Sequence, residues 1–400
     1  MSEQLSGLKR AERDVNAKRP HDSLLKFEVS TPEAIKKALE VKDLTLDDAP
    51  KHAINLIVNT VKKKLDGAGF GEIRIIRGNP IVTVEDNFDK LLFPYDNAGR
   101  ASTYTRYVDE NHVLRTHTSA QVPQTFKEFY KEFNGDIPDT VFIFLGLVYR
   151  RDVIDPKHLD VFHQMDIWAL RKNGDRGPFR DEDLLRLVTL VFNSVLPDQK
   201  PIIYKAVHPY THNGIEVYGK LGNAELEILE AGLTHTEVLR GAGFDPELYS
   251  GLASGFGLDR LVMALKSLPD VRYLRSVEPR IAKQMENTEK FKEVSMMPPI
   301  SRDMSYTVPG DFTEEDINEE IKDAFAEKAY LVENVAIQSR TKYADLPEIA
   351  REKLGAQPGQ DNILVRITLR HPDVTLTKKE ANELYDQAYP KLHKGTKGYI

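Results

Sequence analysis

Apolar residues recur at Ile54, Val58, Val61 and Leu65, a spacing that lines one side of a helix over residues 52–65. Gly67 and Gly69 follow and stop it. Short extended segments are predicted over 72–77 and 81–84. The middle of the chain reads as strand, loop, strand. Residues 141–151 form a buried-looking run that ends in charge, 155–160 a polar connection containing a proline, and 161–170 a second run. Leu184, Leu187, Val188, Val191 and Val195 then share one face of a helix over 179–196. Further strands are expected near 202–207, 215–218 and 225–229. Over 255–268 the pattern predicts a helix opened by glycines, with Leu258, Leu261, Val262 and Leu265 facing inward.

The period is lost around 285–300, where a charged run leads into Met296-Met297-Pro298-Pro299. Beyond it the order is strand (303–308), helix (314–328), strand (331–340), strand (363–369), helix (378–389). Ile363, Val365, Ile367 and Leu369 alternate with Leu364, Arg366 and Thr368, as a half-buried strand requires. Thr377 with Glu380 makes a capping box for the last helix. Split β-α-β units of this kind predict a ferredoxin-like sandwich. The expected division is an arm over 1–45, a main domain over 46–290 and a C-terminal domain over 291–400.

Composition changes this picture little. Of 400 residues, 40% are hydrophobic and 29% charged, the balance of a water-soluble globular protein. No apolar run is long enough to span a bilayer, so no membrane partner is expected. Disulfides and thiolate metal sites are excluded because there is no cysteine. Glu3, Glu12 and Asp14 among the N-terminal basic residues argue against an acid-poor transit peptide, which leaves the cytoplasm as the expected location. A net charge of -7 does not advertise a nucleic-acid partner. It leaves room for a local basic stripe, since only the field near the phosphates counts.

The chemistry gathers at two places. Arg150 and Arg151 end a hydrophobic strand and are followed by Asp152, Asp155, His158 and the stretch Phe162-His163-Gln164-Met165-Asp166. An arginine fork fits phosphate oxygens, and Phe162 is suited to stack on a flat heterocycle. Taken alone, an ion pair with nearby aspartates at the strand end is the more ordinary explanation of the arginines. The second place is Gly255-Phe256-Gly257-Leu258-Asp259-Arg260. Glycines before a helix let its backbone approach an anionic ligand, and Arg260 adds a cation. Alone, the pattern fits a packing role as readily.

Together these words resemble motifs 2 and 3 of class II aminoacyl-tRNA synthetases. Asn87-Phe88-Asp89-Lys90-Leu91, Leu114-Arg115-Thr116-His117-Thr118-Ser119, Val148-Tyr149-Arg150-Arg151-Asp152 and Phe162-His163-Gln164 are similar to the phenylalanyl-tRNA synthetase catalytic chain. The stretch from Arg302-Asp303-Met304-Ser305 through Arg366-Ile367-Thr368-Leu369 to Leu376-Thr377 resembles that family's ferredoxin-fold anticodon-binding domain. The resemblance runs over residues 45–400, in the domain order of the single-chain mitochondrial form. It implies an α+β fold, with a class II antiparallel sheet flanked by helices plus the C-terminal ferredoxin-like α/β sandwich. It also implies an ATP-dependent ligase that uses Mg2+, with an amino acid and tRNA as partners. A homodimer built on the motif 1 helix is the expected assembly, with a monomer as the alternative.

Residue by residue, the resemblance implies that Arg150 holds the α-phosphate and the attacking carboxylate, and Arg260 the γ-phosphate. Phe162 stacks the adenine, and Glu227 helps to bind ATP or magnesium. His158, Gly255 and Gly257 line the ATP side. Thr118, Ser119, Gln164 and Asp166 receive the α-amino group.

The amino-acid pocket departs from the family. Its Phe-Pro-Phe stands here as His208-Pro209-Tyr210, and its amine-binding Glu is Asp166. A glycine-rich strand end becomes Glu230-Ala231-Gly232. A phenylalanine becomes Ser254, although Ala253 is kept, and Lys157 and Asp160 replace Thr and Pro in the loop after motif 2. The pocket becomes more polar, which predicts a substrate more polar or cationic than phenylalanine, because buried polar groups reject an apolar partner. Alternatively, Glu230 and His208 face away or pair with each other. Two other readings stand beside the tRNA ligase: a paralogue that passes its adenylate to a non-tRNA acceptor, and a non-catalytic tRNA-binding protein. No editing domain is expected. The basic tail (Lys391, His393, Lys394, Lys397) reads either as a phosphate contact or as a solvated terminus.

Overall fold

A computed structural model of the chain describes residues 28–151, 153, 155–293 and 297–397. Residues 1–27 of the expected arm, and Asp152, lie outside the described residues. The chain divides into two compact units. The first comprises Met1–Arg150, Val161–Pro269 and Lys283–Phe291; the second comprises Arg151–Asp160, Asp270–Ala282 and Lys292–Ile400.

The first unit is built on a seven-stranded sheet in the order β1-β4-β5-β9-β8-β7-β6. Its strands are β1 (Glu72–Ile76), β4 (Thr140–Tyr149), β5 (Val161–Lys172), β6 (Ile202–Lys205), β7 (Thr211–Leu221), β8 (Ala224–Thr234) and β9 (Tyr249–Gly257). A separate two-stranded ribbon joins β2 (Ile81–Thr83) and β3 (His112–Leu114). The sheet is mixed rather than antiparallel throughout, because β1 pairs parallel to β4. The long connection between them, holding the ribbon and helix α2 (Val122–Glu132), returns the chain to the same end of the sheet, as parallel pairing demands.

Helix α1 (Ala53–Leu65) follows the predicted apolar face, with Ile54, Val58, Val61 and Leu65 buried. The His52 ring accepts from the backbone of Ile54 and caps the helix. It packs with α3 (Asp181–Val195) and α5 (Leu258–Lys266), and these cover one side of β5 and β8. The other side meets α2 and α4 (Thr236–Ala242) through Phe126, Phe129, Val238 and Leu239, packed on Phe142, Phe144 and Trp168.

One predicted element is corrected. The helix expected to begin at Gly255 begins at Leu258, and Gly255 and Gly257 belong to strand β9. Pairing with β5 on one side and β8 on the other satisfies the β9 backbone, so a strand forms despite the low strand propensity of glycine.

The second unit holds a three-stranded antiparallel sheet of β10 (Ile300–Pro309), β12 (Gln360–Leu369) and β11 (Val332–Lys342), in that order. Helices α6 (Glu314–Phe325) and α7 (Lys378–Leu392) belong to the same core, in which Tyr306, Ile321, Val365, Ile367, Ala381 and Tyr385 meet. This arrangement is compatible with a ferredoxin-like sandwich. The Thr377–Glu380 capping box is present. In the same unit Arg151 pairs with Asp316 at 3.3 Å and with Glu319. Lys391 donates to the Ala324 carbonyl at 2.9 Å, and Lys394 lies 3.0 Å from Glu320. Two cations of the basic tail therefore have partners within their own unit. Among the described residues, no helix is long and apolar enough to cross a membrane.

Candidate active site

The register of the large sheet places the predicted site residues in rows. Glu216, Glu230, Gly255, Asp166 and Phe144 stand side by side on five neighbouring strands. Gly232, Ala253, Trp168 and Phe142 form the next row on the same face, and Gly257, Gln164 and Gly146 the row on the other side. Along this face β9 offers only Gly251, Ala253, Gly255 and Gly257. Their lack of bulk leaves a trough, walled by Gln164, Asp166 and Trp168 from β5 and by the acidic side chains of β8. A Cβ on Gly255 would come within 2.9 Å of Asp166 Oδ1 and 3.4 Å of Gln164 Nε2, so the β5 wall leans over this glycine.

Glu227 and Glu230 are three residues apart, a spacing that sends side chains to opposite faces of a regular strand. A β-bulge prevents this. Val217 pairs with Leu229 and Tyr218 with Glu227, so Ile228 is the extra residue and both carboxylates reach the trough face. Ile228 itself is buried.

At one end of the trough Arg150 lies over the Phe162 ring, 5.1 Å from its centroid, and 5.8 Å from that of Tyr104. Its Nε donates to the Thr116 carbonyl at 2.8 Å, which fixes the guanidinium. Arg260, at the start of α5, reaches Glu227 at 3.4 Å. Burial pushes the Glu227 carboxyl up and Arg260 pulls it back, with Glu230 and Glu216 adding to the rise.

Towards the middle, Gln164 Nε2 donates to Asp166 Oδ1 at 2.9 Å. Burial, and then the charge of Glu230, push the Asp166 carboxyl up to about 7, against the pull of the Thr118 and Ser119 hydroxyls and the Gln164 amide. His117 stacks on Phe93 at 5.4 Å and is 2.9 Å from Ser119 Oγ. Burial and then Arg150 hold its pKa down to about 3, so the ring is neutral. Among the described residues, His117 Nε2 and Gln164 Oε1 have no hydrogen-bond partner. Buried groups of this kind ordinarily find a partner in the protein, in water or in a ligand.

The deep wall is aromatic. Tyr210 lies 5.8 Å from Trp168, 6.0 Å from Phe93 and 6.1 Å from His208, centroid to centroid. Its hydroxyl donates to Glu230 Oε1 at 2.6 Å, and His208 Nε2 is 3.3 Å from Glu230 Oε2. Glu230 and His208 therefore do meet each other, and they do so at the trough.

The structure brings Thr118, Ser119, Arg150, Phe162, Gln164, Asp166, His208, Tyr210, Glu227, Glu230, Ala253, Gly255, Gly257 and Arg260 together in one unit. Ser254 stands apart: it pairs with Ile167 and Ala231 in a row of the opposite face, and its hydroxyl lies 3.3 Å from the Ile167 carbonyl. His158 belongs to the second unit, where its Nδ1 is 2.7 Å from Asp155 Oδ2. Trp168, Phe93, His117, Tyr104 and Glu216 were not singled out as site residues from the sequence. Trp168 was findable, because it is two positions past Asp166 on a strand. Also missed was a link behind the sheet. His163 accepts from the Leu44 backbone N–H through Nε2 at 3.1 Å, while its own backbone N–H donates to Asp259 Oδ2 at 2.6 Å. That ties β5 to the first turn of α5, next to Arg260.

The profile of the class II core domain of tRNA synthetases (F) matches residues 38–285. Among curated proteins, the chloroplastic/mitochondrial phenylalanine–tRNA ligase of Arabidopsis thaliana is 28% identical over 355 residues, covering 86% of this chain and 77% of that one. The mitochondrial phenylalanine–tRNA ligase of Saccharomyces cerevisiae is 26% identical, covering 92% of each chain. The phenylalanine–tRNA ligase alpha subunit of Acaryochloris marina is 33% identical over 258 residues, covering 63% of this chain and 73% of that subunit. Among solved structures, a pyrrolysyl-tRNA synthetase of Desulfitobacterium hafniense aligns with a TM-score of 0.45 and 17% identity, over 61% of this chain and 80% of that one.

Proposed function

The chain belongs to the class II tRNA synthetases, in the group of the phenylalanine–tRNA ligases, and from that premise we propose that it activates an amino acid with ATP and transfers it to tRNA. The observation that carries this reading is the convergence, at one end of a side-chain-free trough, of Arg150 over Phe162 with the Glu227–Arg260 pair. A nucleotide with its adenine on Phe162 sets its α-phosphate beside Arg150 and its outer phosphates towards Arg260. The amino acid lies further along, its ammonium on Asp166 and Gln164 and its carboxylate towards Arg150.

The first step forms a bond between a substrate carboxylate oxygen and the α-phosphorus and breaks the bond to the bridging oxygen, so that pyrophosphate leaves. The fixed guanidiniums stabilise the charge that develops on the phosphoryl oxygens. In the second step a terminal ribose hydroxyl of tRNA attacks the acyl carbon, and AMP leaves with the bonding pair. Magnesium accompanies the phosphates in this chemistry. Glu227, a partly exposed carboxylate, suits the single protein ligand that such a phosphate-borne ion needs. His158 is assigned to the ATP side by the resemblance alone.

The pocket beyond Asp166 is read as polar, since Tyr210 donates to Glu230 and His208 stands 3.3 Å from the same carboxylate, where an apolar side chain would otherwise pack. A charging assay with labelled amino acids, ATP and total tRNA tests the function. Acid-precipitable aminoacyl-tRNA is expected, and Arg150→Ala lowers its rate by about a hundredfold or more. ATP–pyrophosphate exchange without tRNA charging would shift the reading to a non-tRNA acceptor. Neither activity would leave a non-catalytic tRNA-binding protein.

A further inference from the structure

The trough has more negative charge than its proposed use explains. Arg150 and Arg260 serve the phosphates, and an α-ammonium neutralises Asp166. Glu230 is then left over, one strand beyond Gly255. Its Oε1 accepts from the Tyr210 hydroxyl at 2.6 Å, which satisfies one lone pair without neutralising the charge. His208 Nε2 stands 3.3 Å from Oε2 and makes no hydrogen bond with it. The Glu230 side chain keeps 35% of its surface exposed, and its register position faces the trough.

A second observation points to a ligand in the same place. Gln164 is 7% exposed and commits its Nε2 to Asp166, yet its Oε1 has no partner among the described residues. Asp166 Oδ1 and the Nε2 of the same Gln164 side chain stand beside the missing Cβ of Gly255, so the space between Asp166 and Glu230 is bounded by two carboxylates and by the Gln164 amide. The two carboxylates and the unpartnered Gln164 Oε1 are acceptors, and the Gln164 Nε2 is already committed to Asp166. A ligand that satisfies them must bring donors, and the two carboxylates call for positive charge.

We infer that the amino acid is a diamino acid, whose α-ammonium rests on Asp166 and Gln164 and whose side-chain ammonium reaches Glu230. The inference rests on the functional reading above and narrows it. Glu230 and Asp166 sit on strands flanking β9, so their backbones are about 10 Å apart, two strand spacings. Their side chains close the gap from both sides, which leaves room for a short unbranched diamine such as 2,4-diaminobutanoate, ornithine or lysine. The Tyr210 and Trp168 rings line the wall on which its methylenes pack.

ATP–pyrophosphate exchange on the full chain, with and without total tRNA, tests the idea. The panel is 2,4-diaminobutanoate, ornithine and lysine against norleucine, glutamine and phenylalanine. The expected result is exchange with one of the diamines, at a kcat/KM at least tenfold above any uncharged analogue. Glu230→Gln lowers that value ten- to a hundredfold, mainly through KM, and Glu230→Asp keeps the preference for a diamine. Thermal melts establish that both variants are folded, and Glu230→Asp alone decides if Glu230→Gln is not. Exchange with phenylalanine or another neutral amino acid while the diamines are inert overturns the inference and leaves the functional reading standing. Diamine exchange unchanged in folded Glu230→Gln also overturns it. No exchange with any amino acid overturns the functional reading and this inference together.

Discussion

Asp166→Asn separates what the buried carboxylate costs the fold from what it contributes to binding. Asp166 is 2% exposed, and its pKa rises from 3.8 to about 7. A group whose pKa is raised on folding favours the folded state at low pH, and that advantage disappears as pH climbs from the unfolded value through the folded one. The rise corresponds to about 4 kcal/mol between pH 4 and 7, an upper figure because the site relaxes. Asparagine does not titrate, so the variant escapes this loss. Its stability relative to the parent is expected to improve by roughly 2–4 kcal/mol from pH 4 to pH 7 and to stay level above that. Urea unfolding at several pH values, followed by the fluorescence of Trp168, reads the right unit, because the chain has one tryptophan and it lies on the same strand. The variant is also expected to lose most amino-acid activation, since the ammonium loses its counter-charge. A stability difference that does not change with pH would refute the reasoning.

Other expectations follow from single contacts. Gly255→Ala drives a methyl against Asp166 Oδ1, so the amino-acid KM rises about tenfold or more in pyrophosphate exchange, while the melting temperature moves little. His163→Ala takes the ring Nδ1 from the Asp259 carboxylate and the ring Nε2 from the Leu44 N–H, while the backbone N–H of residue 163 still donates to Asp259. A loss of roughly 1–3 kcal/mol in urea unfolding is expected, with slower exchange because Arg260 is less well held. Thr377→Ala removes the cap of α7 and costs about 1 kcal/mol, measurable by denaturant titration. Replacing Lys391, Lys394 and Lys397 together by Ala is expected to leave the salt dependence of tRNA filter binding unchanged, because Lys391 and Lys394 already have partners.

Helix α1 and strand β12 were legible because each buries one face, which gives a clean period in the sequence. Strand β9 was not, for a reason tied to its job. Its trough face is glycine and alanine so that a ligand can lie on it, and small residues give no period to read. The site residues on β5 and β8 were found through the family's words rather than through physics. His208 and Glu230 were visible as polar intruders, but they meet only because a loop and a strand 22 positions apart converge on the trough. The reach of Glu227 and Glu230 to one face was equally hidden, since it depends on a bulge and not on composition. Net charge was uninformative, because cations and carboxylates at the site alternate over a few ångströms and cancel in a sum.

The bulge at Ile228 changes how this site can vary over evolutionary time. Side-chain substitution alters one wall residue at a time, whereas the extra residue sets the phase of the strand around it. Loss of Ile228 itself would leave Glu227 and Glu230 two positions apart and still on one face, whereas one added codon in β7, giving Ile228 a partner, would restore even pairing and send Glu227 to the opposite side while Glu230 stays in place. The nucleotide-side carboxylate and the pocket carboxylate are thus separable by a reading-frame-preserving insertion in the neighbouring strand. Relatives with one more residue in β7 opposite Ile228 are expected to differ in metal handling before they differ in amino-acid choice.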